Sequence, residues 1–161
     1  MRPVLALVAL ALVACDDRAA LPEGETPDGP TDCRPLGERY ALCTRLRSFD
    51  AAAATCEAWG GTLAILDEPG EADALAALAD DSVRGWHWIG LTDAEEEGRF
   101  AWVDGQPLTL PAWYGDEPND RWGSEDCVFM YSHTGTWNDY GCDRPLAALC
   151  ERPAAGVPID P

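Results

Sequence analysis

Lysine is absent from this chain: all eleven of its basic residues are arginine, set against 29 acids, for a net charge of −18. So acidic a molecule argues against nucleic acid or an anionic membrane face as a partner, because both would repel it. Histidine is scarce, with only His87 and His133, and no Cys-x-x-Cys occurs. A zinc cluster is therefore poorly supplied with ligands. The same scarcity leaves no evident Ser–His or Cys–His constellation for nucleophilic catalysis, and both histidines read as ordinary surface or partly buried residues. No internal repeat is visible, and no apolar run reaches the roughly 20 residues that cross a bilayer. What is present suits one globular domain: 161 residues, 47% of them hydrophobic, with seven Trp to supply core.

The first 15 residues stand apart. Arg2 is followed by an apolar run from Val4 to Ala14, which fits the core of a secretory signal. Its end, Leu12-Val13-Ala14-Cys15, resembles a bacterial lipoprotein cleavage box. That resemblance implies a signal peptide over 1–14, a lipid-bearing Cys15, and an extracytoplasmic chain anchored to a bacterial membrane. Seven cysteines is an odd number; setting Cys15 aside leaves an even set for disulfides in an exported chain. Sequence alone leaves the pairing open. Residues 15–32, with frequent Asp, Glu, Pro and Gly and no apolar period, read as a flexible tether. A domain is expected over 33–152 and a tail over 153–161.

Within the domain, Ser48 is placed to cap a helix through Ala51–Ala54 and Cys56 to Trp59, ended by Gly60-Gly61. Leu63-Ala64-Ile65 reads as a short strand. A second helix is expected from about Gly70 to Ala79, with Leu75 and Leu78 on one face. Trp86, Trp88, Phe100 and Trp102 alternate as in strands, and Trp86, Trp88 and Trp102 are expected in the core. Val128–Tyr131 and Ala147–Cys150 read as strands. Ahead of Val128, Gly105 to Gly123 is a long loop rich in Gly, Pro, Asp and Asn, a kind that is uncommon unless functional. Helices together with short strands make an α+β domain.

Glu117-Pro118-Asn119, Glu125, and Asn138-Asp139 after Trp137 carry the chemistry. Calcium takes roughly 6–8 oxygen ligands. These side chains offer carboxylate and amide oxygens, and Pro118 fixes the turn between the first two, in a cis bond if the loop is tight. The positions left open suit water or two neighbouring hydroxyls of a sugar. Glu117 and Glu125 accept the hydroxyl protons, while Asn119 and Asn138 donate to the remaining lone pairs.

The ordered set Trp88-Ile89-Gly90-Leu91, Glu117-Pro118-Asn119 and Trp137-Asn138-Asp139, with the cysteines around it, resembles a C-type lectin domain of the mannose type, from about Cys33 to Arg152. The resemblance implies that fold, with two helices, small antiparallel sheets and a long calcium-binding loop region. It implies the pairs Cys33–Cys43, Cys56–Cys150 and Cys127–Cys142. It also implies a second, auxiliary Ca2+ among Asp93, Glu97, Asp120, Glu125 and Asp126, acids that would otherwise repel one another. Trp122, at the rim, either packs on a bound sugar or is buried in the loop; Arg121 reads as a solvated charge offsetting the acids. The expected function is calcium-dependent binding of glycans with mannose-like vicinal equatorial hydroxyls. The alternative is a protein-binding adhesin or receptor module with structural calcium. Glycosidase action by paired carboxylates is disfavoured, since a general acid needs a raised pKa and calcium holds its ligands ionised.

Overall fold

The computed structural model describes residues 25–26, 29–78 and 85–153. The signal segment with Cys15, most of the tether and the tail 154–161 lie outside the described residues. Where the tether reading meets them, a short antiparallel pair forms: β1 (Glu25–Thr26) with β2 (Gly29–Pro30). Then follow β3 (Cys33–Leu36), β4 (Tyr40–Arg47), α1 (Phe49–Trp59), β5 (Thr62–Leu63), α2 (Glu71–Leu78), β6 (Trp86–Thr92), β7 (Ala101–Trp102), β8 (Cys127–Tyr131), β9 (Trp137–Tyr140) and β10 (Leu146–Glu151). The main sheet runs β3-β4-β10-β6-β8-β9, with β5 on β10 and β7 on β6. All its pairings are antiparallel except β10 with β6, where Ala147 faces His87 and Ala148 faces Trp88. Among the described residues no helix is long and apolar enough to cross a membrane.

The α1 stripe explains one core. Phe49, Ala52, Cys56 and Trp59 recur at helical spacing, and all four are buried. They pack on Trp88, Phe129, Cys127 and Ala148 of the sheet. Gly60, at φ 96°, takes the left-handed residue that ends α1, and its neighbour Gly61 donates back to the Cys56 carbonyl at 2.9 Å. Ser48 occupies the cap position, but its hydroxyl makes no capping bond. At the same end the Phe49 N–H donates to the Cys142 carbonyl at 2.9 Å, so a tertiary contact ties down the start of the helix.

The opposite face of the sheet holds Ile89, Leu91, Val128, Met130, Trp137 and Leu149, covered by Leu66, Leu75 and Trp102. Leu75 is buried as expected; the Leu78 side chain lies outside what is described. Gly90 is needed here because a Cβ would sit 2.8 Å from the Leu63 carbonyl oxygen. Trp86 corrects the sequence reading: it is 45% exposed, whereas Trp88 and Trp102 are buried. As the first residue of β6 it stacks on Phe129 at 4.8 Å, with the strand's start leaving its other side uncovered.

Three disulfides staple the fold: Cys33–Cys43 across β3 and β4, Cys56–Cys150 from α1 to β10, and Cys127–Cys142 beside the long loop. These are the pairs that the resemblance implies. Next to Cys150, at the end of β10, Glu151 accepts from Arg39 Nε at 2.8 Å and from the Ile65 N–H at 2.8 Å. Tyr40 donates to Glu71 beside them.

His87 is more buried than the sequence suggests, at 5% exposure. Burial lowers its pKa from 6.5 to about 4. The folded protein therefore refuses a proton that the unfolded chain accepts below pH 6.5, so this contribution to stability is full above pH 6.5 and falls as the pH drops toward 4. His87→Gln removes that dependence. Between pH 7 and pH 5 the parent should lose about 2 kcal/mol more than the variant. Urea unfolding of both proteins at the two pH values checks this; equal losses would show that His87 does not titrate as its burial dictates.

Candidate functional site

β9 is the platform. Its residues alternate, with Trp137 and Asp139 buried and Asn138 and Tyr140 partly exposed, as a half-buried strand dictates. Asp139 is therefore a carboxylate at 0% exposure, and such a group must be hydrogen-bonded. Its Oδ1 accepts the Asn119 N–H at 3.1 Å and its Oδ2 the Asp120 N–H at 2.6 Å. One buried acid thus fixes the backbone of the loop more than fifteen positions upstream. Around it, Trp113 packs between Phe100 and Trp137, with centroids at 4.9 and 5.9 Å. The Tyr114 N–H donates to the Trp137 carbonyl at 2.8 Å. The long loop has no strand of its own and is held by this aromatic set.

The Glu117–Pro118 bond is cis. It brings Glu117 over Asp139, and the Asn119 amide donates to the Glu117 carboxylate. Burial, with Asp139 and Glu125 adding negative charge, raises the Glu117 pKa against the opposing Asn119 bond. Glu125 accepts the Arg121 N–H at 2.9 Å, and its own N–H donates to Asp120 at 3.2 Å. Asn138 donates through Nδ2 to the Asp139 carbonyl at 2.9 Å, while its Oδ1 is buried with no hydrogen-bond partner. The turn between Asn119 and Glu125 is tight: Asp120 and Trp122 lie at φ 38° and 70°, a region unusual for such residues. Trp122 is 87% exposed, so it stands at the rim and is not buried in the loop.

The second acid set lies where β6 ends. Glu97, Asp120 and Asp126 have carboxylate oxygens within 4.8 Å of one another. Among the described residues this is the set of three acids that meets so closely; Glu117, Glu125 and Asp139 do not form one. Asp93 and Glu125 also fall outside the close trio. Asp93 is buried beneath it, with Oδ2 accepting the Gly98 N–H at 2.8 Å and Oδ1 without a partner. Desolvation first, then the charges of Asp126 and Asp139, raises the Asp93 pKa against the Gly98 bond. Glu97 is raised likewise, by local desolvation and then by Asp93, Asp120 and Asp126. The sequence reading missed Thr92, whose hydroxyl donates to the Asp126 carbonyl at 2.6 Å and ties the two halves of this set together. No local signal marks it, because the partner is 34 residues away.

Residues 45–152 match the family model of the lectin C-type domain. The chain belongs to the C-type lectin domain family. A human C-type lectin domain family 17 member A is 35% identical over 134 residues, 77% of this chain. The chain spans about a third of the length of the curated relatives it matches, 34% in that case. The cow carbohydrate-recognition domain of CD23, solved in the presence of a GlcNAc2Man3 oligosaccharide, is 34% identical with a TM-score of 0.67, covering 78% of this chain and 96% of that one. A calcium-independent type II antifreeze protein shares the fold at 26% identity and a TM-score of 0.64, covering 76% and 92%. None of these relatives is named as an enzyme.

C-type lectin domains generally bind Ca2+, and the antifreeze relative shows that the fold alone does not require it. The residues present here fit the ion. The principal set offers carboxylate and amide oxygens and the auxiliary set carboxylates, the ligands a hard cation prefers. Asn138 Oδ1 and Asp93 Oδ1 are buried oxygens with nothing to accept from, and an unpartnered acceptor is costly unless something fills it.

Proposed function

We propose that this C-type lectin domain binds glycans through calcium, gripping mannose-like vicinal equatorial hydroxyls. The observation that carries the reading is the buried, partnerless Asn138 Oδ1 on the strand whose next residue, Asp139, fixes Asn119. Glu117, Asn119, Glu125, Asn138 and Asp139 would hold the principal ion. Glu97, Asp120 and Asp126, with Asp93 below and Glu125 between the two sets, would hold an auxiliary one. The bound ion supplies the attraction for sugar hydroxyl oxygens. The protein orients them: Glu117 and Glu125 accept the hydroxyl protons, and Asn119 and Asn138 donate to the free lone pairs. No bond in the sugar is made or broken. One shallow site of this kind holds a monosaccharide at about 1 mM, or roughly −4 kcal/mol, and useful strength comes from many copies meeting a multivalent glycan. A glycan array with calcium and with chelator tests the reading directly; binding that survives chelation, or that monosaccharides fail to compete, would favour a protein-binding module.

Exchanging the acid and the amide, Glu117→Gln with Asn119→Asp, keeps volume and charge but reverses donor and acceptor. Calcium should still bind. Mannose should weaken by about 1–3 kcal/mol through mismatched polar groups, and preference should move toward galactose. Competition by both sugars at fixed calcium measures the ratio. An unchanged ratio with calcium affinity retained would remove this cage from sugar reading.

Display from a bacterial membrane through a lipid on Cys15 completes the proposal, on the strength of the Leu12-Val13-Ala14-Cys15 resemblance. Two or more acyl chains give stable anchoring. Cys15→Ser should leave the protein unlipidated and free of the membrane fraction. A variant that is still lipid-modified and membrane-bound would end the lipoprotein reading.

A further inference from the structure

Two of the disulfides are in contact. Where β4 pairs with β10, Cys43 faces Ala148 and Ala41 faces Cys150. Cys43 and Cys150 are therefore diagonal neighbours on the same face of the sheet. Their Sγ atoms stand 3.5 Å apart, although each is bonded elsewhere. Cys43 is linked to Cys33, directly opposite it on β3, and Cys150 to Cys56 on α1. Sulfurs from three strands and a helix thus make one continuous series: Cys33, Cys43, Cys150, Cys56.

Access to the series is one-sided. Cys43, Cys150 and Cys56 are fully buried, in the core that α1 makes with Trp88 and Phe129. Cys33 is only partly buried, on the strand at one edge of the main sheet. A thiol arriving from solvent therefore meets Cys33 first.

We propose that these two disulfides form a thiol–disulfide relay, in which reduction at Cys33 moves the long-range clasp from Cys56–Cys150 to Cys43–Cys150 and unties α1. The reductant is an external dithiol. One of its thiolates bonds to Cys33 Sγ, the Cys33–Cys43 bond breaks, and the electron pair leaves on Cys43. The second thiol of the reagent closes the reagent's own disulfide and releases Cys33 as a thiol. The Cys43 thiolate then attacks Cys150 Sγ. The Cys43–Cys150 bond forms, the Cys56–Cys150 bond breaks, and Cys56 leaves with the electron pair and takes up a proton. The balance is one dithiol oxidised, one protein disulfide reduced, and thiols at Cys33 and Cys56. Apolar surroundings disfavour the Cys43 thiolate, but a nucleophile held 3.5 Å from its target has no encounter to wait for. The new clasp spans 107 residues in place of 94, so its closure entropy is nearly the same. What is given up is the covalent hold on β3 and α1. The inference is independent of calcium and of the carbohydrate reading.

The test uses the Cys15→Ser chain, so that the three disulfides are the only sources of thiol. The folded protein is treated with limiting dithiothreitol and quenched in acid, which removes the attacking thiolates. It is then denatured and labelled with N-ethylmaleimide, and its linked peptides are mapped by mass spectrometry. Molecules that have lost one disulfide should contain a Cys43–Cys150 peptide, with label on Cys33 and Cys56. A further Cys33→Ser change leaves Cys43 unpaired beside Cys150, and should yield the same linked peptide with no reductant added. Changing both Cys33→Ser and Cys43→Ser removes the relay and leaves Cys56–Cys150 to direct attack. Label should then reach Cys56 about ten-fold more slowly than in the parent, because the held nucleophile is gone; loosening of β3 alone would make it faster. Reduced molecules that keep Cys56–Cys150, with label on Cys33 and Cys43 alone, overturn the proposal. So does label confined to Cys127 and Cys142, or label that reaches Cys56 equally fast without the relay.

Discussion

An Asp139→Asn variant is expected to lose glycan binding and to show a smaller rise in melting temperature than the parent when calcium is added, because only the auxiliary set keeps its acids. The substitution is nearly isosteric, so what changes is chemistry at a fully buried position. Asp139 accepts two backbone N–H groups, from Asn119 and Asp120. Asparagine has one acceptor oxygen and an NH2 that would point at a donor. Hydrogen bonds to a charged acceptor are worth about 1.5–3 kcal/mol each, so the loop carrying Glu117 and Asn119 loses its hold as the cage loses a negative charge. A parent protein binding calcium at 100 times its Kd gains about 2.7 kcal/mol per site from mass action, and the principal site's gain is what the variant forfeits. Melting curves with and without calcium measure it. Intact disulfides and an unchanged far-UV spectrum would show that the fold survives. A variant that gains as much from calcium as the parent and still binds glycan would place the ion elsewhere.

The Cys56–Cys150 disulfide should be the most costly covalent link to remove. It joins α1 to β10 across 94 residues, so it restricts most of the unfolded domain. The chain-entropy account puts this at about 4.7 kcal/mol, against roughly 3 kcal/mol or less for a short loop such as the Cys33–Cys43 one. Cys56→Ala with Cys150→Ala should lower the urea midpoint more than the corresponding change at Cys33 and Cys43. Saturating calcium should recover part of the loss in both, because the ion binds the folded state alone. Equal losses from the two pairs would assign the stabilisation to packing around the sulfurs and not to the closed loop.

The parts of this molecule legible in the sequence are those written in short spacings. Glu117-Pro118-Asn119 and Trp137-Asn138-Asp139 are local, and the alternation in β9 decides that Asp139 points inward. The helix over Phe49–Trp59 follows from its apolar stripe and Gly60. Features decided by distant partners were not legible. Ser48 makes no capping bond, while the Phe49 N–H beside it is held by the distant Cys142 carbonyl. Trp86 is half open because its strand begins there, although its residue type suggests core. The Arg39, Glu71 and Glu151 network spans up to 112 residues. The auxiliary acids are legible as a crowd, but only folding shows that Glu97, Asp120 and Asp126 meet while Asp93 lies underneath.

The order of the main sheet has a practical consequence. β3, where the chain enters the domain at Cys33, is one edge, and β9, with Asn138 and Asp139, is the other. With neighbouring strands about 4.8 Å apart, some 24 Å of sheet separates them. A dye, a biotin or a surface linkage attached ahead of Cys33 therefore sits on the far side of the molecule from the recognition loops. Coupling through the N-terminal end should present the binding face outward without blocking it, which makes that end the natural handle for building a glycan sensor from this domain.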